Sequence, residues 1–479
     1  MANSMFSTKP MNVLLEETKD SGHSFKRVLG RFNLITLGIG AIIGAGIFVL
    51  SGEVSANYSG PAIVISFTIA AIACGAAGLA YAEMASMIPI AGSAYTYTYA
   101  TIGRFFAWVV AWMLIIEYLF AASSVSVGWS GYIVSFLEGI HVHLPAALTN
   151  APIAYDTALD KFVLTGGILN VPAIFIVALI SILLIVGIKE SATFNNVIVV
   201  IKTTVILVFI LVGVWFISTK NWHPFIPKNT GVFGQFGWSG IFRGAAVIFF
   251  AYIGFDAVST AAQESKNPQK DLPVGILGSL LIATVLYILV ALVLTGVVPY
   301  TKLGVPDPIA VGVDAIGFTW LSWLIKLGAI AGLTSVILVM LLGQPRIFYT
   351  MAKDGLLPPI FTRIHPRFKT PYLSSIFTGI VAMFLAGVFP IGVLSKLVSF
   401  GTLMAFTMVC IGVIILRTRR PDINRPFKTP LYPFIPILGI VACLVQVAFL
   451  NIYAWEFMAV WLVIGITVYF VYGRKHAKY

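Results

Sequence analysis

Long apolar runs separated by short polar connectors dominate the chain. A helix of about 20 residues crosses the hydrocarbon of a bilayer, and twelve segments meet that length. The first six lie near 33–54, 61–88, 102–137, 171–187, 195–218 and 240–260. The second six lie near 273–298, 318–348, 371–390, 393–416, 432–453 and 455–473. They are called segments one to twelve below. Proline and glycine punctuate the connectors, as in "IPIAG", "NPQKDLP" and "KTPLYP". Strands of a membrane barrel would alternate in polarity over about 10 residues, and these runs do not. The pattern predicts an all-α membrane protein with twelve transmembrane helices.

Two segments carry internal flaws. Segment one reads "ITLGIGAIIGAGIFVLSG", with Gly38, Gly40, Gly44 and Gly46 close together. Small residues let helices pack closely in lipid, which is one reading. The other is a helix interrupted near Gly44–Gly46, because glycine costs up to about 1 kcal/mol in a helix relative to alanine. A dinucleotide fingerprint fits neither the spacing nor the setting. Segment six, "GAAVIFFAYIGFDAVSTAAQES", places Gly254 two residues before Asp256 and predicts a second break near Ala251–Gly254. Backbone freed at such breaks must line a polar cavity. Breaks five segments apart are the pattern of two five-helix repeats of opposite topology, with substrate held between them. Exposed N–H groups suit a carboxylate and exposed carbonyls an ammonium, so such a site suits an amino acid.

Composition agrees with the pattern. Of 479 residues, 59% are hydrophobic and only 10% charged, and the mean hydropathy is +0.97; a soluble chain is about 25% charged. The partner implied is the lipid bilayer. The net charge of +12 sits in connectors and does not point to nucleic acid. With the N-terminus in the cytosol, 22 Lys and Arg fall on the cytosolic side and 5 opposite, leaving Lys202, Arg243 and Lys326 within or at the ends of segments. This bias predicts cytosolic termini in a multi-pass cell-membrane protein. Met1–Ser24 reads as a cytosolic tail with no cleavable signal. The expected division is a tail over 1–32, a ten-helix transport core over 33–416, and two peripheral helices with a short C-terminus over 417–479. No GxxxxGK[ST] occurs, which argues against an ATP-driven pump. Cys74, Cys410 and Cys443 read as core residues, and a metal site at His141 and His143 is disfavoured. Neither a cofactor nor an enzymatic activity is expected.

The chain resembles the amino acid–polyamine–organocation transporters, as a bacterial relative of the cationic amino acid transporter branch. The resemblance covers nearly the whole chain. It rests on "GIGAIIGAGIFVLSG", "AYAEMASMIPIAGSAYTYTYATIGRFFAWVVAW", "FFAYIGFDAVSTAAQESKNPQKDLPVGI" and "GQPRIFYTMAKDGLLPPIFTRIHPRFKTP". It implies a five-plus-five inverted repeat with segments one and six broken and segments eleven and twelve peripheral. It places a substrate carboxylate at Ile42, Ala45 and Gly46, and a substrate amine at the carbonyls of Phe250, Ala251 and Ile253. Relatives often carry a hydroxyl residue where Ala45 stands, so backbone amides would do more of the holding here.

Lys202, alone in "IVVIKTTVILVFI" of segment five, has two readings. It can snorkel to the interface. Alternatively it faces the bundle interior, where a charge costs about 2.5–3.5 kcal/mol on insertion scales and is usually functional. The resemblance implies the second, with Lys202 standing where sodium-coupled relatives of this fold hold a cation between segments one and eight. The implied activity is import of L-amino acids by proton symport. Glu117 in segment three is read either as structurally paired or as part of the amine network sharing the proton. Glu83 and Asp256 are read as capping or pairing at segment ends, and Arg243 and Lys326 as snorkelling. Met340 falls where cationic relatives keep a small residue; it reads either as ordinary core packing or as the wall of a short pocket for neutral, small or branched substrates such as alanine. The alternatives are an exchanger or cationic permease without proton coupling, and a membrane amino acid sensor. A small membrane-protein partner stays open.

Overall fold

The computed structural model describes residues 5–10, 13, 29–90, 92–156, 161–186, 192–368 and 370–478. Most of the expected tail lies outside them, with Lys19, Lys26 and Arg27 of the charge count, as do Lys189 and Lys369. The described chain is mostly helical. Eight helices are long and apolar enough to cross a membrane, and four shorter apolar helices accompany them: Arg31–Ile42, Val171–Val186, Tyr372–Val388 and Phe434–Ala448.

The long helix of segment three, Arg104–Gly139, packs against Thr319–Lys353 of segment eight and Ile391–Arg419 of segment ten. Ile63–Met87 of segment two pairs with Pro268–Val297 of segment seven. Such helices have almost no amphipathic bias, since lipid and core are equally apolar. Small residues set how closely their backbones approach, as at Gly343, which lies against the Tyr118 ring. Segments eleven and twelve form Phe434–Ala448 and Ile452–Val468. The first of these packs on segments two and ten.

Two features depart from the sequence reading. Ser93–Thr101 forms a separate buried helix before segment three, because Gly103 takes φ +133 and breaks the run. The connector over 138–170 holds an antiparallel hairpin, Ile153–Asp156 with Lys161–Leu164. Its Tyr155 and Phe162 pack on Tyr453 of segment twelve.

Candidate functional site

Segment one is interrupted at Ile43–Gly44. The helix Arg31–Ile42 ends where Ile43 turns extended, with ψ 99°, and helical backbone resumes from Ala45 through a π-helical stretch, Gly46–Leu50. Segment six begins as Gly237–Ile248, tightens into the 3-10 turn Phe249–Tyr252, then opens at Ile253 with ψ 138°. Gly254 follows at φ +115, a value that only glycine adopts without strain. The two breaks cross in contact. A Cβ on Gly46 would overlap the Ala251 backbone, and one on Gly254 would sit 2.9 Å from Ala41 main-chain atoms.

A small cavity of about 10 Å³ lies between the breaks. Ile42, Ala45, Gly46, Phe250, Ile253 and Met340 line it, joined by Ala121 and Val125 of segment three and Val336 of segment eight. No lining side chain bears a hydroxyl, amide or charge, so its polar groups are main-chain atoms. The N–H groups opening the second half of segment one lack helical acceptors by construction and form an anion-compatible end. The cavity holds about one water; an amino acid needs these walls to part.

Lys202 is fully buried, which removes the snorkelling alternative. Its Nζ donates to Gly40 O at 2.6 Å and Ile43 O at 2.8 Å, one carbonyl in the last turn before the break and one at the break. Among the described residues no carboxylate lies within 4 Å of it. Segment eight contributes packing rather than a bond: a Cβ on Gly332 would meet Lys202 Cδ at 3.3 Å.

Ala251, expected in the site, does not line the cavity. Its carbonyl lies 2.7 Å from the Tyr287 hydroxyl, which is 2.8 Å from Ile42 O. One phenol proton thus serves one carbonyl from each break. Phe250 O accepts from Ile253 N. Sequence reading did not single out Tyr287. The available signal was a phenol inside the apolar run "VLYILVAL", since a buried tyrosine hydroxyl needs a partner.

Glu117 is buried but does not line the cavity. It faces Asp256 and the Thr402 hydroxyl, and its Oε2 has no hydrogen-bond partner among the described residues. Asp256 is not at a segment end: buried beside the second break, it accepts from Tyr118 at 3.2 Å and Ser93 at 3.4 Å. The break brings the chain's polar backbone inward there and carries Asp256 with it. Glu83 does pair, with Arg417 at 2.6 Å and Arg425 at 3.5 Å. Arg243 and Lys326 are held by main-chain carbonyls, Arg243 at Phe449 and Phe233 and Lys326 at Ser135.

A larger cavity of about 270 Å³ opens at the helix ends that carry Asn33, Glu264 and Arg346, with Tyr95, Asn196 and Thr350 on its walls. Three hydrogen bonds tie the helices together on the far side of the breaks. Tyr132 donates to Phe48 O at 2.7 Å, Trp129 to Thr334 at 3.0 Å, and buried Lys396 of segment ten to Tyr58 at 2.8 Å.

A family model described as amino acid permease matches residues 29–470. The chain is 46% identical to a branched-chain amino acid permease, BcaP, of Bacillus subtilis (strain 168), over 100% of this chain and 99% of that one. It is 45% identical to a methylthioribose transporter of the same organism, over 99% of both chains. It is 38% identical to a vacuolar cationic amino acid transporter of Arabidopsis thaliana, over 88% of this chain and 68% of that one.

Proposed function

Because the chain belongs to the amino acid permease family and is a multi-pass membrane protein, we propose that it imports neutral L-amino acids, small or branched, by proton symport. The single observation carrying this reading is the juxtaposition of two broken helices around an apolar cavity with Lys202 on the carbonyls of one break. Once the walls part, substrate binds by its two charged ends to main-chain groups, the carboxylate at N–H groups that open after the break beside Ile42, Ala45 and Gly46, and the amine at the carbonyls of Phe250, Ala251 and Ile253. The aliphatic side chain lies against Val125, Val336 and Met340. Glu117 acts at a distance, through Asp256 and the second break.

Twelve crossings arranged as five-plus-five inverted repeats, with cytosolic termini in the cell membrane, complete this reading. In that orientation the larger cavity faces the cytosol and the conformation is inward-facing. The division into a tail over 1–32, a core over 33–416 and peripheral helices over 417–479 follows from it.

Lys202 supplies the coupling. As an ammonium it makes charge-assisted bonds of about 1.5–3 kcal/mol each; as a neutral amine it makes ordinary bonds of about 0.5–1.5 kcal/mol. Protonation therefore tightens the break of segment one into its substrate-competent shape. Proton release to the cytosol loosens it.

The similarity to a methylthioribose transporter raises a second reading, a sugar substrate. The cavity lining favours the amino acid. A thiosugar brings several hydroxyls that need partners, and leaving buried polar groups unpaired costs about 1–3 kcal/mol each. Purified protein in liposomes, given radiolabelled leucine, alanine or methylthioribose under an inward proton gradient, separates the two. Accumulation of the amino acids alone supports the proposal, and accumulation of methylthioribose alone overturns the substrate assignment.

A further inference from the structure

The inner half of segment one is fastened to segment five at a second level, on the wall of the larger cavity. Thr36 donates its hydroxyl to Asn196 Oδ1 at 2.6 Å, and Asn196 Nδ2 donates to Asn33 Oδ1 at 3.3 Å. Thr36 is buried, and both asparagines border the opening. Asn196 precedes Lys202 by six residues, about 9 Å along a helix. Asn33 and Thr36 likewise precede Gly40 and Ile43 by seven. The two helices therefore run in the same direction with two matched attachments, one a side-chain clasp at the inner end and the other the ammonium at the break.

From this we infer that Asn196 is a positioning residue, whose clasp on Thr36 and Asn33 holds the inner half of segment one in register with segment five so that the Gly40 and Ile43 carbonyls meet Lys202. The inference rests on the proton-symport reading for its consequence. With the inner end clasped, loosening the Lys202 attachment moves the break and therefore the cavity. Without the clasp the helix Arg31–Ile42 swings from segment five whatever the state of the amine, and proton and substrate part company.

The elements packed on Lys202 bring few other charges. Arg31 and Asp271 pair with each other at 2.8 Å. Tyr287 is engaged at the two breaks, Lys326 is held at Ser135, and Lys270, Asp314, Arg346 and Lys353 are exposed. None of these takes over the clasp, which is built from uncharged groups and does not itself titrate.

Two measurements test it. In liposomes, Asn196→Ala and Thr36→Val should keep substrate exchange but lose accumulation driven by a proton gradient by at least about 5-fold, the lower edge of a usual coupling factor; Thr36→Ser, which keeps the hydroxyl, should match the parent. Separately, spin labels on Gly30→Cys, where a side chain meets nothing, and on lipid-facing Ile201→Cys should report a narrow distance distribution. That distribution should broaden in Asn196→Ala and Thr36→Val and not in Thr36→Ser. A proton-driven uptake equal to the parent's, or exchange and folded yield falling together, would overturn the inference. Should the parent itself ignore the proton gradient, the symport reading falls; the label distances then decide the clasp alone, broadening supporting it and an unchanged distribution overturning it.

Discussion

The Gly40 carbonyl oxygen lies 2.6 Å from Lys202 Nζ, in a part of the chain closed to solvent. A helix that broke at Ile43 without this contact would leave main-chain acceptors unpaired in a low-dielectric setting, a cost of about 1–3 kcal/mol for each orphan. A lysine buried at Lys202 without the break would lack acceptors. Each irregularity stabilises the other, which ties the shape of segment one to a group able to gain or lose charge.

Tyr287→Phe should weaken the crossing of the two breaks. The substitution removes one hydroxyl and little volume, leaving the Ile42 and Ala251 carbonyls short of a donor. The expected loss is about 1–3 kcal/mol, seen as a lowered melting temperature in detergent and about a 10-fold fall in transport. A variant with the parent's melting temperature and transport would show that the bridge carries no weight.

Gly46→Val should be more damaging. The added side chain would push into the Ala251 backbone, and overpacking of a tight contact costs about 1–3 kcal/mol. Substrate-induced thermal stabilisation should vanish, since the main-chain groups of both breaks move apart. Retention of that ligand-dependent shift would contradict the crossing as drawn.

Much of this was legible in the residues. Gly38, Gly40, Gly44 and Gly46 marked the first break and Gly254 the second, because unwinding inside a membrane needs glycine and backbone that faces a cavity. Lys202 stood out because a lone charge in an apolar run has few explanations. The positions of Tyr287, Asp256 and Asn196 were not legible. Their significance comes from which carbonyl, hydroxyl or amide lies opposite after the helices cross, and that is a tertiary fact with no periodicity in the chain. Which groups Glu117 faces was hidden for the same reason. Its helix, Arg104–Gly139, is buried on nearly every face, so sequence could not say which neighbour it meets.

Met340→Ala should widen the cavity at its apolar wall. A methylene in a hydrophobic pocket is worth about 1–3 kcal/mol of discrimination. The ratio of kcat/KM for leucine over alanine should therefore rise by about 10-fold or more. An unchanged ratio would place the substrate side chain elsewhere.

Glu83→Gln and Asp422→Asn should differ sharply. Glu83 is buried and serves Arg417, Arg425 and the Thr429 N–H. Breaking a buried pair costs about 3–5 kcal/mol, so the melting temperature should fall clearly. The exposed Asp422 pairs with Arg420, whose guanidinium holds its carboxyl below the usual range. Stability from that pair is present above the unfolded value of about 3.9 and is lost as pH falls through the lowered one. Being exposed, the pair should contribute nothing measurable at pH 7, and a large effect of Asp422→Asn would contradict this.

The most direct test of the central claim is leucine and alanine uptake into liposomes loaded at neutral pH and diluted into acid or neutral buffer, with and without sodium, for the parent and Lys202→Ala. The account predicts accumulation driven by external acid in the parent, indifferent to sodium. In Lys202→Ala, substrate binding should weaken but stay measurable, while acid-driven accumulation is lost. Accumulation that follows sodium and ignores pH, or that survives in Lys202→Ala, would contradict it.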